Sequence, residues 1–366
     1  MTKNSIYADR LMRLKSDMRR FQIECLIVSP GVNFRYIFGL LEEPSERLLV
    51  GIIEAENSPK MLVPSFEVDR IKKLTGVRDC FGWEETQDPY SLLPELIPSD
   101  IGKTIAIEPK MWFSVYQKIA KKFSERKFIS ASECLFDPLR AVKDEHEQEF
   151  LLKASQKSGD VIVETLNELE VGISEIEVKT ILKEKLLWSS NEKSGALVQF
   201  GDNSSLPHYS GGNRILQKND VVLIDAGGTI DNYWGDITIT TVFGKASRRF
   251  KNIYDIVYSA NERGKEAVIE NKLPSDVDSA TRGFITNEGY GEFFTHRTGH
   301  GIGLEVHEHP YIVGNNQTPL VPGNVFTIEP GIYLPGEFGV RIEDDVIKTE
   351  TGIKTSQIPR YELLEI

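Results

Sequence analysis

The first third of the chain alternates between two hydrophobic patterns. Apolar residues three or four positions apart, which are typical of amphipathic helices, occur in 6–20 and 112–123. Short continuous apolar runs, which are typical of buried strands, occupy 25–29, 48–53, 61–64 and 104–107. This alternation predicts a small α/β domain in residues 1–135.

The pattern changes near Phe136-Asp137-Pro138, where a charged, helix-favouring segment follows from Arg140. A chain of 366 residues also exceeds the usual size of a single hydrophobic core. We therefore expect a second domain in residues 136–366. The charged run 143–147 is interpreted as the solvated face of its first helix.

Two segments of the second domain share one pattern. Residues 216–227 and 320–331, offset by 104 positions, each contain a leading leucine, a polar turn and an apolar strand. The strand ends in a carboxylate, Asp225 in the first segment and Glu329 in the second, and a glycine follows two residues later. Buried strands that end in an acidic residue can match by chance. The preferred interpretation is a duplicated α/β half, with a metal site that takes ligands from both copies.

Composition restricts the class of partner. The net charge of −12 disfavours nucleic acid and anionic membrane surfaces, because such partners are bound through an excess of lysine and arginine. A hydrophobic fraction of 40% and a charged fraction of 27% are ordinary for a soluble globular protein. The first residues contain no apolar signal-peptide region, and no run of about 18 apolar residues occurs. A cytoplasmic location without a membrane partner is expected.

Four carboxylates and one imidazole in the last third of the chain suit a pair of divalent cations. They are Asp225, Asp236, His300, Glu329 and Glu343. With a neutral imidazole their charge of about −4 would balance two 2+ ions, whereas without metal the carboxylates would raise each other's pKa. Oxygen and nitrogen ligands fit manganese, cobalt or zinc. Two such ions ~3.5–4 Å apart can activate a water and polarise a carbonyl, which is the chemistry of amide hydrolysis.

The order and setting of these five residues resemble the pita-bread metallopeptidase family, which contains methionine aminopeptidase, aminopeptidase P and prolidase. Segment 294–310, FTHRTGHGIGLEVHEHP, is very similar to the prolidase and aminopeptidase P branch, and segment 33–39 is similar to the N-terminal domain of prolidases. The resemblance implies an α/β (α+β) protein. It would have a small creatinase/prolidase-type N-terminal domain and a C-terminal pita-bread fold with a pseudo-twofold repeat.

The resemblance also implies roles for the five ligand candidates. Asp225 would chelate one metal ion, Asp236 and Glu343 would bridge the pair, and His300 with Glu329 would hold the other ion. Glu329 would also pass a proton from the attacking water to the leaving amine. Manganese is the expected metal, with cobalt or zinc as alternatives.

Four further residues match family positions near the substrate. The resemblance implies that His307 stabilises the tetrahedral intermediate, that His208 gates the substrate and that His296 borders it. Arg341 would orient a carboxylate with its two-pronged guanidinium.

Several activities are compatible with this family. A methionine aminopeptidase is disfavoured because such enzymes usually lack the preceding α/β domain and a histidine at the position of His296. The tracts 43–47 and 87–92 look most like compact bacterial-type prolidases. We therefore expect a homodimeric Xaa-Pro dipeptidase that cleaves small peptides before proline by means of a metal-bridging hydroxide. An Xaa-Pro aminopeptidase (aminopeptidase P) is the alternative, and a non-catalytic peptide-binding module is disfavoured by the complete ligand set.

Overall fold

The structure, a computed structural model, describes residues 3–97, 103–187, 193–270, 273–360, 362 and 364–366. By its internal contacts the chain divides into two units, Met1–Leu139 and Arg140–Ile366. None of the described helices is long and apolar enough to cross a membrane.

The first unit is built on a mixed sheet with helices between its strands. Its strands are β1 (Cys25–Val28), β2 (Val50–Glu54), β3 (Lys60–Pro64), β4 (Asp79–Trp83), β5 (Thr104–Ile107) and β6 (Lys127–Ser130). Its helices are α1 (Lys3–Arg20), α2 (Val32–Phe38), α3 (Val68–Thr75), α4 (Leu93–Leu96) and α5 (Phe113–Lys122). The strands lie in the order β4-β3-β2-β1-β5-β6, with β1 antiparallel to β2 and parallel to β5. The six predicted elements are all observed, with small shifts at their ends, which confirms the α/β prediction.

The second unit begins at Arg140, within the short helix α6 (Asp137–Ala141). Its helices are α7 (Glu145–Leu166), α8 (Glu175–Lys185), α9 (Arg248–Ile269) and α10 (Pro274–Asn287). Its strands are β7 (Ser194–Phe200), β8 (Val221–Ile230), β9 (Tyr233–Val242), β10 (Gly299–Gly301), β11 (Glu308–Ile312), β12 (Val325–Ile328), β13 (Gly331–Leu334), β14 (Phe338–Arg341), β15 (Asp344–Lys348) and β16 (Ile353–Thr355). Strands β7-β8-β9 form one sheet, β11-β10-β12-β15-β16 form a second, and β13 pairs with β14.

The two halves of this unit repeat one order of elements. A pair of helices, α7 and α8 or α9 and α10, precedes antiparallel strands, and α7 and α9 each have 22 residues. Helix α7 packs on β8 and β9, while α9 contacts β12 and β15. Strands β8 and β12 begin at Val221 and Val325, the equivalent positions of the repeated sequence pattern. The predicted duplication of an α/β half is therefore confirmed.

The start of α7 differs from the sequence prediction. The segment from Arg140 does not open the long helix, because α6 ends at Ala141 and α7 begins only at Glu145. The Asp144 side chain accepts from the Glu147 N–H at 2.9 Å, and the Glu147 side chain accepts from the Asp144 N–H at 2.9 Å. This reciprocal capping box fixes the helix start, because it satisfies N–H groups that have no partner within the helix.

The interpretation of the charged run as a solvated face was wrong for two of its residues. Lys143 and Glu147 are both buried. Lys143 Nζ forms an ion pair with Glu308 at 2.6 Å, and Glu147 accepts from the Tyr233 hydroxyl at 3.0 Å. Tertiary partners thus compensate the desolvation of these charges, which the local charge pattern could not indicate.

Helix α7 lies against β9 at Gly235, where no side chain fits. A Cβ atom at Gly235 would lie 2.2 Å from the Ser155 backbone nitrogen and 2.3 Å from the Ala154 carbonyl carbon. These atoms belong to the helix backbone, so they cannot turn away as the end of a side chain can. Gly235 therefore sets how closely α7 approaches the strand that carries Asp236.

Replacing Gly235 by alanine should lower the free energy of unfolding by about 1–3 kcal/mol, because the added methyl group overpacks this contact. The matched control is Gly283→Ala in α10, where a Cβ meets nothing within 4 Å. That variant should be at least as stable as the wild type, since alanine favours a helix over glycine by roughly 0.5–1 kcal/mol. Denaturant unfolding measures the free energy of unfolding of both variants. A Gly235→Ala variant as stable as the wild type would contradict the packing argument.

Candidate active site

All nine site residues predicted from the sequence line one cavity of about 560 Å³ in the second unit. They are Asp225, Asp236, His300, Glu329, Glu343, His208, His296, His307 and Arg341. A cavity of this volume is within the range of pockets that take small-molecule ligands. The fold thus brings the candidates from both halves of the unit to one place.

Strands β8 and β9 place two aspartates on the same face of their sheet. In the antiparallel register Asp225 lies opposite Thr238, and Asp236 lies opposite Gly227. Asp225 and Asp236 are therefore diagonal neighbours across the strand pair, an arrangement in which side chains of one face interact.

The second half supplies two glutamates and a histidine. Glu329 directly follows β12 and Glu343 directly precedes β15, and these strands pair antiparallel. An isolated bridge between Thr238 and Glu343 joins this pair to β9, and the Thr238 hydroxyl donates to Glu343 Oε2 at 2.5 Å. His300 lies in β10, with its Nε2 3.4 Å from Glu329 Oε1. The ligand candidates therefore meet where β9 of the first half joins the β12–β15 pair of the second half, a junction that we call the seam.

The cluster has the composition and spacing of a metal site. One ligand atom from each of Asp236, His300 and Glu343 lies within 4.8 Å of the others. Burial raises the pKa of Asp236 and of Glu343 well above the ordinary values, and neighbouring carboxylates add to both shifts. Burial also raises the pKa of Glu329 to about 7 and lowers the pKa of His300 to about 3. Crowded carboxylates beside a neutral imidazole fit divalent cations, whose charge offsets the repulsion.

Arg341 is a positive charge held against this cluster. Its Nη2 donates to Asp225 Oδ2 at 2.6 Å, its Nη1 to the Tyr333 hydroxyl at 2.8 Å and its Nε to Thr238 Oγ1 at 3.2 Å. The guanidinium does orient a carboxylate, but that carboxylate belongs to Asp225. The expected contact of Arg341 with substrate stays a prediction.

His296 is fixed at both ring nitrogens. Its Nε2 lies 2.8 Å from the Tyr333 hydroxyl, and its Nδ1 lies 2.8 Å from the Arg297 carbonyl oxygen. Burial and the charge of Arg341 lower the pKa of His296 to about 3. The ring is therefore neutral at physiological pH, and it links through Tyr333 to Arg341.

His208 and His307 are exposed where they line the cavity. The ring centroids of His307 and His300 lie 4.2 Å apart. Desolvation, followed by the positive charge of Arg297, lowers the pKa of His307. A neutral His307 has one ring N–H to donate and remains accessible to a ligand.

Sequence analysis missed two residues that support the ligands from outside the cavity. Asp345 accepts from the Asp236 N–H at 2.9 Å, and burial raises the pKa of Asp345 to about 8. Arg360 donates to the carbonyl oxygens of Thr238 at 2.7 Å and of Glu343 at 2.5 Å. A carboxylate within an apolar strand signals that buried partners exist, and that signal was available for Asp345. Nothing in the sequence around Arg360 indicates its partners.

The comparisons with known proteins identify the family. Residues 149–350 match Metallopeptidase family M24, and residues 10–142 match the Creatinase/Prolidase N-terminal domain. An uncharacterized peptidase of Staphylococcus aureus (strain USA300) is 31% identical over 345 residues, which are 94% of this chain and 97% of that relative. The chain belongs to metallopeptidase family M24. It is thus a peptidase of a family that binds divalent metal.

Three solved structures are similar over almost the whole chain. A prolidase from Thermococcus sibiricus has a TM-score of 0.91 and 32% identity, covering 98% of this chain and 99% of that one. The dipeptidase PepE from Mycobacterium ulcerans has a TM-score of 0.92 and 31% identity, covering 100% and 99%. An X-Pro aminopeptidase from Thermotoga maritima has a TM-score of 0.81 and 32% identity, covering 94% and 98%. These likenesses confirm the predicted fold and include both peptidase specificities considered from the sequence.

Replacing Asp236 by asparagine should sharply lower the bound divalent metal and abolish peptidase activity, because the variant removes one charge from the ligand cluster. Elemental analysis of the purified protein, and peptide hydrolysis with manganese, cobalt and zinc compared, measure the two effects. The matched control is Asp255→Asn, an exposed aspartate on α9. Wild-type metal content in Asp236→Asn would exclude Asp236 as a ligand.

Proposed function

We propose that this protein is a dinuclear metallopeptidase that hydrolyses the Xaa-Pro bond of dipeptides. The observation that carries the proposal is the single cavity of about 560 Å³ that holds the five ligand candidates together with the four other predicted site residues. The likeness to a prolidase and to a dipeptidase supports the substrate class.

The metal site would be formed by residues of both halves of the second unit. We assign Asp225, Asp236, His300, Glu329 and Glu343 to two divalent ions, with manganese as the proposed metal. When bound, such ions lower the pKa of a water and polarise the scissile carbonyl.

Glu329 is the group we assign to proton transfer. When the amide bond breaks, the electron pair of the C–N bond goes to the proline nitrogen, which must gain a proton to leave as a secondary amine. The Glu329 carboxylate lines the cavity, with Oε1 3.4 Å from His300 Nε2 and Oε2 3.8 Å from His296 Nδ1. This position supports our assignment, in which Glu329 takes a proton from the attacking water and delivers it to the nitrogen.

His307 is assigned to the developing oxyanion. Its ring is exposed to the cavity beside His300, and its lowered pKa keeps it neutral with one N–H to donate. A donor in this position stabilises the transition state more than the ground state, because negative charge grows on the carbonyl oxygen during attack. His208, exposed at the same cavity, is assigned to gating the substrate.

An Xaa-Pro aminopeptidase is the second candidate function, favoured by the likeness to the enzyme from Thermotoga maritima. The substrates of the two activities differ on the C-terminal side of proline, since a dipeptide ends there with a carboxylate and a longer peptide continues. A cytoplasmic location and a homodimeric assembly stay predictions.

We expect the metal-loaded protein to cleave Xaa-Pro at least ten-fold more efficiently than Xaa-Pro-Yaa, measured as kcat/KM. That ratio corresponds to about 1.4 kcal/mol of differential transition-state binding. A dipeptide with alanine in place of proline tests whether cleavage requires proline after the scissile bond, and it should be cleaved poorly. Comparable kcat/KM for dipeptide and tripeptide would instead assign the aminopeptidase activity.

Replacing His307 by alanine should lower kcat by ~10²–10³ while the metal content stays at the wild-type level, because one oxyanion donor is lost. Steady-state kinetics on Xaa-Pro and elemental analysis of the same preparation test this. The exposed His146, which lies outside the cavity lining, offers the control variant His146→Ala. Loss of metal together with activity would make His307 a ligand.

A further inference from the structure

Two arginines line the cavity, and their guanidinium groups are engaged differently. The Arg341 side chain is only 3% exposed and donates from all three of its nitrogens to groups of the chain. Arg297 is exposed, and within the part of the chain that the structure describes its guanidinium has no ion pair. Arg297 is therefore the arginine of this cavity that has hydrogen-bond donors to offer.

The Arg297 side chain is nevertheless held in place. Its guanidinium carbon lies 4.7 Å from the centroid of the Tyr311 ring, and Tyr311 belongs to β11. Stacking on an aromatic face restrains a guanidinium while its N–H edge stays free. Such an edge matches a carboxylate with two parallel hydrogen bonds.

Arg297 lies beside the groups assigned to catalysis. Its side chain lines the same cavity as His307 and Glu329. In a dipeptide that ends in proline, the carboxylate is bonded to the carbon next to the scissile nitrogen. A cation that binds this carboxylate must therefore lie beside the groups that act on the scissile bond, as Arg297 does.

His300 and His296 do not compete for this role. His300 is assigned to metal, and its Nδ1 lies 3.1 Å from the Gly301 carbonyl oxygen. Both nitrogens of His296 also lie against groups of the chain.

We propose that Arg297 is a specificity-determining residue that binds the C-terminal carboxylate of an Xaa-Pro dipeptide. This inference rests on the proposed dipeptidase function and deepens it. Arg341 then serves as a positioning residue for Asp225. A third residue in the substrate moves the carboxylate roughly 3.5 Å along the chain, away from this pairing.

The test compares Ala-Pro with its C-terminal amide in the metal-loaded wild type and in Arg297→Gln. The loss of kcat/KM on Ala-Pro should exceed the loss on the amide by ten-fold or more, about 1.4 kcal/mol, and should arise mainly in KM. Arg297→Lys should recover part of the loss, because an ammonium keeps the charge without the two-pronged geometry.

The matched control is Arg263→Gln. Arg263 is an exposed arginine whose guanidinium lies 4.4 Å from the Phe284 ring centroid, away from the cavity lining. This variant should retain wild-type kinetics on both substrates. Equal losses on Ala-Pro and its amide in Arg297→Gln, or no loss on either, would overturn the assignment of Arg297.

Binding of L-proline and of L-prolinamide, measured by calorimetry, separates this inference from the proposed function. If the wild type cleaves no Xaa-Pro dipeptide, the proposed function is wrong. The binding data alone then decide whether Arg297 recognises the carboxylate. A loss of affinity in Arg297→Gln that is ten-fold larger for proline than for prolinamide supports carboxylate recognition. Equal changes for the two ligands contradict it.

Discussion

Mutual repulsion among four carboxylates at the seam between two α/β halves is the constraint on which this site depends. Burial raises the pKa of Asp236 and of Glu343, and the neighbouring acids raise each further. A carboxyl group whose pKa is raised on folding stabilises the fold at low pH, and that contribution is lost as pH rises through the shifted pKa. For Glu329 the loss falls between the ordinary 4.5 and about 7. Without a compensating cation the seam therefore costs stability at neutral pH, and divalent ions offset that cost.

Two of the groups behind the ligands, Asp345 and Arg360, bind backbone atoms rather than ligand oxygens. Asp345 holds the Asp236 N–H, while Arg360 donates to the carbonyl oxygens on both sides of the seam and to Asp344 at 2.8 Å. Asp344 also pairs with Lys265 at 2.8 Å, and although burial opposes its ionisation, the two cations lower its pKa. Because these contacts fix the strands themselves, they align the ligands without competing with metal for them.

The loop that carries His307 is anchored by buried charges from the start of the second unit. Glu308 forms ion pairs with Arg140 and, at 2.6 Å, with Lys143, and Arg140 also pairs with Glu305 at 3.0 Å. The charge of these cations outweighs burial and lowers the pKa of Glu308. Buried ion pairs add little net stability, but the loss of one partner leaves an uncompensated charge. Their effect here is to specify where the loop lies, and with it the ring of His307.

The sequence by itself determined the α/β class, the repeated strands that begin at Val221 and Val325, and five ligand candidates of the cavity. Resemblance to a known family added four more of its residues, His208, His296, His307 and Arg341. Hydrophobic periodicity and the placement of a carboxylate at a strand end are local properties, so they can be read from neighbouring residues. Only the tertiary structure decided that Arg341 pairs with Asp225 and that Lys143 and Glu147 are buried. Only it decided that the Arg297 guanidinium has no ion pair among the described residues. The partner of a charged side chain depends on which distant segments meet and on how much water is excluded between them, and neither is a property of local sequence.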